Sequence, residues 1–186
     1  NSDDRFETLS LMDKNGTYIL TTSTLFEGNK YAGVNFAERD YYKDTLSAKA
    51  PIISGLFKSV IGNAMVFTVP LLDERGAVQF IIVAAITPKG LANNITLPDP
   101  LDALSFTLLD FTGNVIMTQD SVPTEIINLK NQDLLVRSLL AGKADKSISG
   151  VNYLNQKVFG QGSTISIGGK KIYVASYYSQ AKYAQD

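Results

Sequence analysis

Leu9-Ser-Leu-Met-Asp-Lys-Asn-Gly-Thr-Tyr-Ile-Leu-Thr-Thr22 and Phe106-Thr-Leu-Leu-Asp-Phe-Thr-Gly-Asn-Val-Ile-Met-Thr-Gln119 align without a gap, 97 residues apart. Five positions are identical: Leu11/Leu108, Asp13/Asp110, Gly16/Gly113, Ile19/Ile116 and Thr21/Thr118. In each copy an alternating apolar strand runs into Asp-x-x-Gly and a second strand leaves it. Asp can hydrogen-bond the turn backbone through its side chain, and Gly can take the positive φ that the reversal needs. A hairpin of this kind implies only an antiparallel sheet, and Asp73-Glu-Arg-Gly76 makes a third. The offset, close to half of the 186 residues, argues for an internal duplication.

The order of elements after each hairpin strengthens that reading. In the first half, Ala37–Ala48 has Tyr41, Tyr42 and Leu46 near helical spacing. Three strands are expected next, over 51–60, 64–72 and 77–86, with Gly62-Asn63 and Asp73–Gly76 as turns. Pro88 opens a short helix to about Asn94. Thr96–Pro100, with two prolines, marks the domain boundary, dividing the chain into 1–97 and 98–186. In the second half, strands near 105–110 and 114–119 precede a helical region over 124–141 that stops at Gly142. Strands near 146–149, 151–153, 158–167 and 171–178 come next, with Gly168-Gly169 as a hairpin signal. Strand–strand–helix–three strands, twice, is the order of a PAS-like fold. The expected class is α+β, each lobe an antiparallel sheet flanked by helices.

Composition removes several functions. The chain has no His, no Cys and no Trp, so a Ser-His-Asp triad, a thiolate nucleophile, a disulfide and an N/S zinc site are all excluded. Lys+Arg 17 against Asp+Glu 18 gives a net charge of -1 with no basic cluster, which argues against nucleic-acid binding. The longest apolar run, Phe80–Ile86, is strand-sized and far short of a bilayer span. The chain starts at Asn1 with no signal-peptide pattern and reads as a piece of a larger protein. Gly160-Gln-Gly162 lacks the third glycine of a dinucleotide loop and sits among strand residues. No spacing builds a catalytic set, no cofactor or metal is expected, and a binding module is expected rather than an enzyme.

The strand–Asp-x-x-Gly–strand opening, Glu38-Arg39-Asp40-Tyr41-Tyr42-Lys43, Pro70–Gly76 and Phe80–Ile86 together resemble the double Cache (dCache) sensor family. The resemblance runs from about Phe6 to Tyr178. It implies the periplasmic or extracellular sensor of a membrane-anchored chemoreceptor, histidine kinase or diguanylate cyclase. The first lobe would be membrane-distal and ligand-binding, the second membrane-proximal. Family members open with a long helix that carries much of the dimer contact. This chain has at most a few residues before its first strand, so a monomer or weak dimer is expected. Members that bind amino acids hold the amine with an Asp near the end of the third hairpin strand. That position falls on or beside Ala85, and 77–87 contains no acidic residue.

Arg39, with Tyr41 and Tyr42, matches the family's Arg-x-aromatic-aromatic pattern. One turn into a short helix, its guanidinium can turn inward and take a carboxylate or phosphate bidentately. The two tyrosines would supply walls and hydroxyl donors, and Phe57, Ser59, Phe67 and Val69 would line the facing strands. A one-residue slip of register exchanges the two faces of those strands. The plain alternative is a surface arginine beside two core tyrosines. The expected partner is therefore a small anionic or neutral molecule, a buried ammonium being costly without a carboxylate. The competing function is a protein-interaction or dimerisation module with no small-molecule ligand.

Overall fold

Alternating apolar residues and Asp-x-x-Gly turns give two antiparallel sheets in the computed structural model, which describes residues 6–23, 31–93, 104–143, 147–167 and 169–183. The chain divides into two compact units, Asn1–Asn94 and Ile95–Asp186; the expected boundary at 97/98 lies outside the described residues. The first unit runs β1 (Thr8–Asp13), β2 (Tyr18–Ser23), α1 (Asp40–Ala48), β3 (Ile52–Ile53), β4 (Phe57–Ser59), β5 (Gly62–Leu72), β6 (Val78–Ile86), α2 (Pro88–Asn93). The second runs β7 (Leu104–Leu109), β8 (Val115–Thr118), α3 (Leu134–Leu140), β9 (Ile148–Val151), β10 (Lys157–Ile167), β11 (Lys170–Ser179), α4 (Gln180–Tyr183). The sheets are ordered β2-β1-β6-β5-β3, with β4 also on β5, and β8-β7-β11-β10-β9. These are one topology used twice, and the class is α+β as the repeat implies.

The turns share one construction. Asp13 Oδ1 accepts from the N–H groups of Asn15 and Thr17, at 2.9 and 2.8 Å. Asp110 does the same for Thr112 and Asn114, and Asp73 for Arg75 and Ala77. A fourth copy is written in other letters. Asn152 Oδ1 accepts from Leu154 and Gln156, and Asn155 takes the glycine's place at φ 61°. Asn tolerates that left-handed backbone better than most residues. The strand expected over 151–153 therefore ends at Val151, where this turn begins.

A second shared device corrects both helix starts. Asn35 Nδ2 donates to the Asn15 carbonyl and to Thr17 Oγ1, and its Oδ1 accepts from Ala37 N. Asn128 Nδ2 donates to the Thr112 carbonyl and to Asn114 Oδ1, and its Oδ1 accepts from Lys130 N. Backbone bonds flank each latch: Phe36 N to Gly16 O, and Leu129 N to Gly113 O. Held against their hairpins, 35–37 and 127–130 cannot be helical. The helix expected over 37–48 starts at Asp40, and the one expected over 124–141 shrinks to Leu134–Leu140. The strand expected over 51–60 is also interrupted, because the Ser54 hydroxyl takes the Val66 N–H at 2.8 Å.

Each helix packs on one face of its sheet. Met12, Tyr41, Tyr42, Val66, Ile81 and Val83 anchor the first core. Leu109, Leu129, Leu135, Leu139, Tyr173 and Ala175 anchor the second. The Gly160-Gln-Gly162 stretch has its reason here. A Cβ at Gly160 would stand 2.9 Å from Leu135 Cδ2, and one at Gly162 only 2.1 Å from Leu139 Cδ2. The glycines let α3 seat its leucines on β10. Of the Gly168-Gly169 signal, Gly168 lies outside the described residues, and Gly169 has φ 73° in the turn before β11.

Candidate functional site

Between the start of α1 and its sheet the first unit has a partly open cavity of about 60 Å³. On the same measure a water needs about 10–15 Å³, so the space suits a molecule of a few heavy atoms. Phe36, Phe57, Ile61, Ala64, Val66 and Ala85 make its walls largely apolar. Polar groups enter from Ser10 and Thr21 on the sheet, from Tyr18 and Tyr41, and from Arg39 at the rim.

The structure brings Arg39, Tyr41, Phe57 and Ser59 together around this space and leaves three expected residues out. Tyr42 is one residue, hence about 100°, further round the helix, and its hydroxyl donates to the Lys14 carbonyl at 2.6 Å. It fastens α1 to the first turn. Phe67 and Val69 lie on the opposite face of β5, where Phe67 meets Phe6 edge-on and Val69 is exposed. The parity of β5 is set by Ala64, Val66 and Thr68, and Thr68 hydrogen-bonds Thr45 of the helix at 2.6 Å. The strand's true cavity residues are thus small and even-numbered. Tyr18, a cavity residue absent from the expected set, sits just after the first Asp-x-x-Gly turn, and its bulge position hides its facing.

Arg39 is the N-cap of α1 rather than a residue within it, and its side chain makes no cap bond. Its guanidinium lies 5.6 Å from the centroid of the Phe57 ring. Among the described residues it has no carboxylate partner, while neighbouring Glu38 is engaged by Lys43 at 2.8 Å. Tyr18 and Tyr41 place their hydroxyls 3.4 Å apart in the buried space beside it. Two hydroxyls bring two protons and their mutual contact uses one, so a donor remains for a guest.

Burial pushes both phenols above the ordinary tyrosine range, and Arg39 partly offsets the rise in each. For Tyr18 the neighbouring Tyr41 adds to the rise. A raised pKa keeps the folded form protonated where the unfolded chain, titrating near 10, already ionises. Stability is therefore complete below about pH 10 and falls above it by about 1.4 kcal/mol per pH unit for each such group. Tyr18→Phe should remove one proton's worth of that slope in urea titrations taken between about pH 10 and 11.5. An unchanged slope would show that Tyr18 ionises freely in the folded state.

The duplicated lobe serves as an internal comparison. Matching the latches pairs Asn35-Phe-Ala-Glu-Arg-Asp40 with Asn128-Leu-Lys-Asn-Gln-Asp133, so Gln132 stands where Arg39 does. Asp133 is buried and caps α3, accepting from Leu135 N and Val136 N, and also from Tyr153 N. The corresponding space there is only about 10 Å³, bounded by Leu135, Gly160 and Tyr177. One lobe keeps a cavity with a cation at its rim; the other fills the cavity and caps the helix.

Two tandem antiparallel lobes of this topology make up the double Cache architecture found in sensory domains. No family model matches the chain, and no curated protein matches it. Solved structures do. The periplasmic sensory domain of the Campylobacter jejuni chemoreceptor Tlp1 is similar at a TM-score of 0.74 and 12% identity, covering 97% of this chain and 74% of that one. The ligand-binding domain of the Pseudomonas aeruginosa PAO1 amino-acid chemoreceptor PctB, in complex with L-Arg, gives 0.68 and 12%, covering 96% and 73%. An extracellular ligand-binding receptor from Desulfohalobium retbaense gives 0.69 and 13% over 94% of this chain, which spans only 30% of that receptor. At such identities the likeness establishes the fold.

Proposed function

We propose that this chain is the extracytoplasmic, ligand-sensing part of a membrane-anchored signalling receptor, and that its first lobe, membrane-distal, binds a small anionic or neutral molecule. The observation that carries the reading is the Arg39 guanidinium, unpaired among the described residues, at the rim of an apolar cavity holding a phenol pair with a proton to give. Such a concave, mostly apolar space with a few convergent polar groups is the usual form of a small-molecule site. PctB has been seen with L-Arg and L-Gln, and the related PctC with GABA, ligands that carry an amine. No carboxylate lines the described part of this cavity. An ammonium would go unpaired there at a cost of several kcal/mol, which favours an amine-free ligand.

Binding would act as a signal if the guest favours one of two arrangements of α1 on the sheet, since only differential affinity shifts an equilibrium. Calorimetric titration against small carboxylates, their amides, amines and nucleobases tests the proposal. Saturable binding of a small acid or a neutral molecule is the expected result. Silence across the panel would leave the interaction module as the better reading, and preference for an amine would overturn the charge argument.

A further inference from the structure

We infer that Ser10 is a ligand-binding residue of the first-lobe cavity, and that the guest is a short monocarboxylate bearing a second oxygen, a hydroxyl or a carbonyl, which Ser10 engages. The inference rests on the reading of that cavity as the small-molecule site and adds the chemical class of its guest. Ser10 lies on β1 between two residues of the same face: Thr8, which also borders the cavity, and Met12, which is fully buried in the core. Only 5% of Ser10 is exposed, it borders the cavity, and among the described residues its hydroxyl has no hydrogen-bond partner. A buried hydroxyl left without a partner is costly. Alanine would serve the strand there without that cost, so the serine is explained by what enters the cavity.

The other polar groups set the rest of the guest. Arg39 comes from the start of α1 and Ser10 from the sheet, so a guest that meets both carries polar atoms at two points. The guanidinium calls for a carboxylate, and the Tyr18–Tyr41 pair has a proton to add to the same guest. Phe57, Val66 and Ala85 leave the remaining wall apolar, which suits a short hydrocarbon chain between the two. The volume has room for roughly four to six waters, which limits the guest to about three or four carbons.

The second lobe shows the same strand pair without the site. Thr8 faces Ala85 and Ser10 faces Val83 across β1 and β6, while Ser105 faces Tyr177 and Thr107 faces Ala175 across β7 and β11. Tyr177 therefore stands where Ala85 does. The small space left beside it is not bordered by Thr107, the counterpart of Ser10. An alanine in the first lobe keeps open what a buried ring fills in the second, and Ser10 faces the space so kept.

Calorimetric titration of the full chain with propanoate and with 2-hydroxy-, 3-hydroxy- and 2-oxopropanoate tests the proposal, since the four differ only in one oxygen and its place. At least one oxygenated acid should bind about tenfold more tightly than propanoate, the upper end for a neutral hydrogen bond. Ser10→Ala should erase that preference without lowering stability in chemical unfolding. Arg39→Ala should weaken every acid that binds. Propanoate binding as tightly as the oxygenated acids overturns the proposal, as does a preference that survives Ser10→Ala. If no acid binds while another molecule of the wider panel does, the proposal falls and the cavity remains a small-molecule site. If nothing binds, the reading of the cavity falls with it.

Discussion

Gly162→Ala is expected to destabilise the second lobe by about 1–3 kcal/mol, the usual cost of overpacking a filled core. The added methyl would fall 2.1 Å from Leu139 Cδ2, with Cγ and Cδ1 also inside 3.0 Å. Leu139 is fully buried among Leu135, Val136 and the strands of the sheet, so it has no vacant rotamer to enter. Leu139→Ala alone should cost about 2–5 kcal/mol by leaving a cavity. Together the two changes should cost less than their sum, because the new methyl occupies space the leucine vacates. Chemical unfolding of the four chains gives the coupling directly, and a value near zero would mean that the helix and β10 are not in the contact described. Gly160, whose Cβ would stand 2.9 Å from Leu135, should show the same pattern more weakly. The first lobe has Ala64 and Val66 on its cavity-facing strand, so nothing equivalent is expected there.

How far the sequence can be read depends on where its signals are local. Asp-x-x-Gly turns are local, so three of them, the duplication and the class of fold are legible from the residues themselves. The fourth turn is hidden because Asn152 and Asn155 perform the same bonds in place of Asp and Gly. The latch asparagines are hidden for a different reason. Asn35 lies 19 residues beyond Gly16, whereas Asn128 lies 15 beyond Gly113, so a gapless alignment that matches the hairpins cannot also match the latches. A four-residue deletion pairs Asn35 with Asn128 and shows that Gln132 replaces Arg39. The helix lengths depend on those latches, so periodicity alone makes both helices too long. The Arg-x-aromatic-aromatic stretch is visible in the sequence as a unit, yet only Arg39, at the N-cap, and Tyr41, on α1, reach the cavity, while Tyr42 does not. Which residues of β5 face the cavity is not legible, since a strand's facing is decided by its partners, here by Thr68 meeting Thr45.

Arg39→Ser should cost binding without costing stability. At the N-cap of α1, arginine offers no acceptor to the first turn, and its backbone at φ -73°, ψ 138° already has the extended form a capping residue uses. Serine there can accept from the exposed N–H groups, as Asp133 does in the second lobe. Relative to Arg39→Ala, which cannot cap, the serine variant should be more stable by about 1 kcal/mol. Both lose the contact with Phe57, worth about 0.5–1 kcal/mol at an exposed site, so alanine should fall below the parent chain and serine should match or exceed it. For an anionic guest both should lose the charge-assisted bond, about 1.5–3 kcal/mol, or roughly ten- to hundredfold in affinity. A neutral guest would lose less, and the pair of variants then measures how much charge it carries. Stability and binding therefore move in opposite directions at one residue, as expected where a residue is held for its ligand rather than for its fold. Serine and alanine variants that unfold alike while binding as tightly as the parent would place Arg39 outside the site and return it to an ordinary surface side chain.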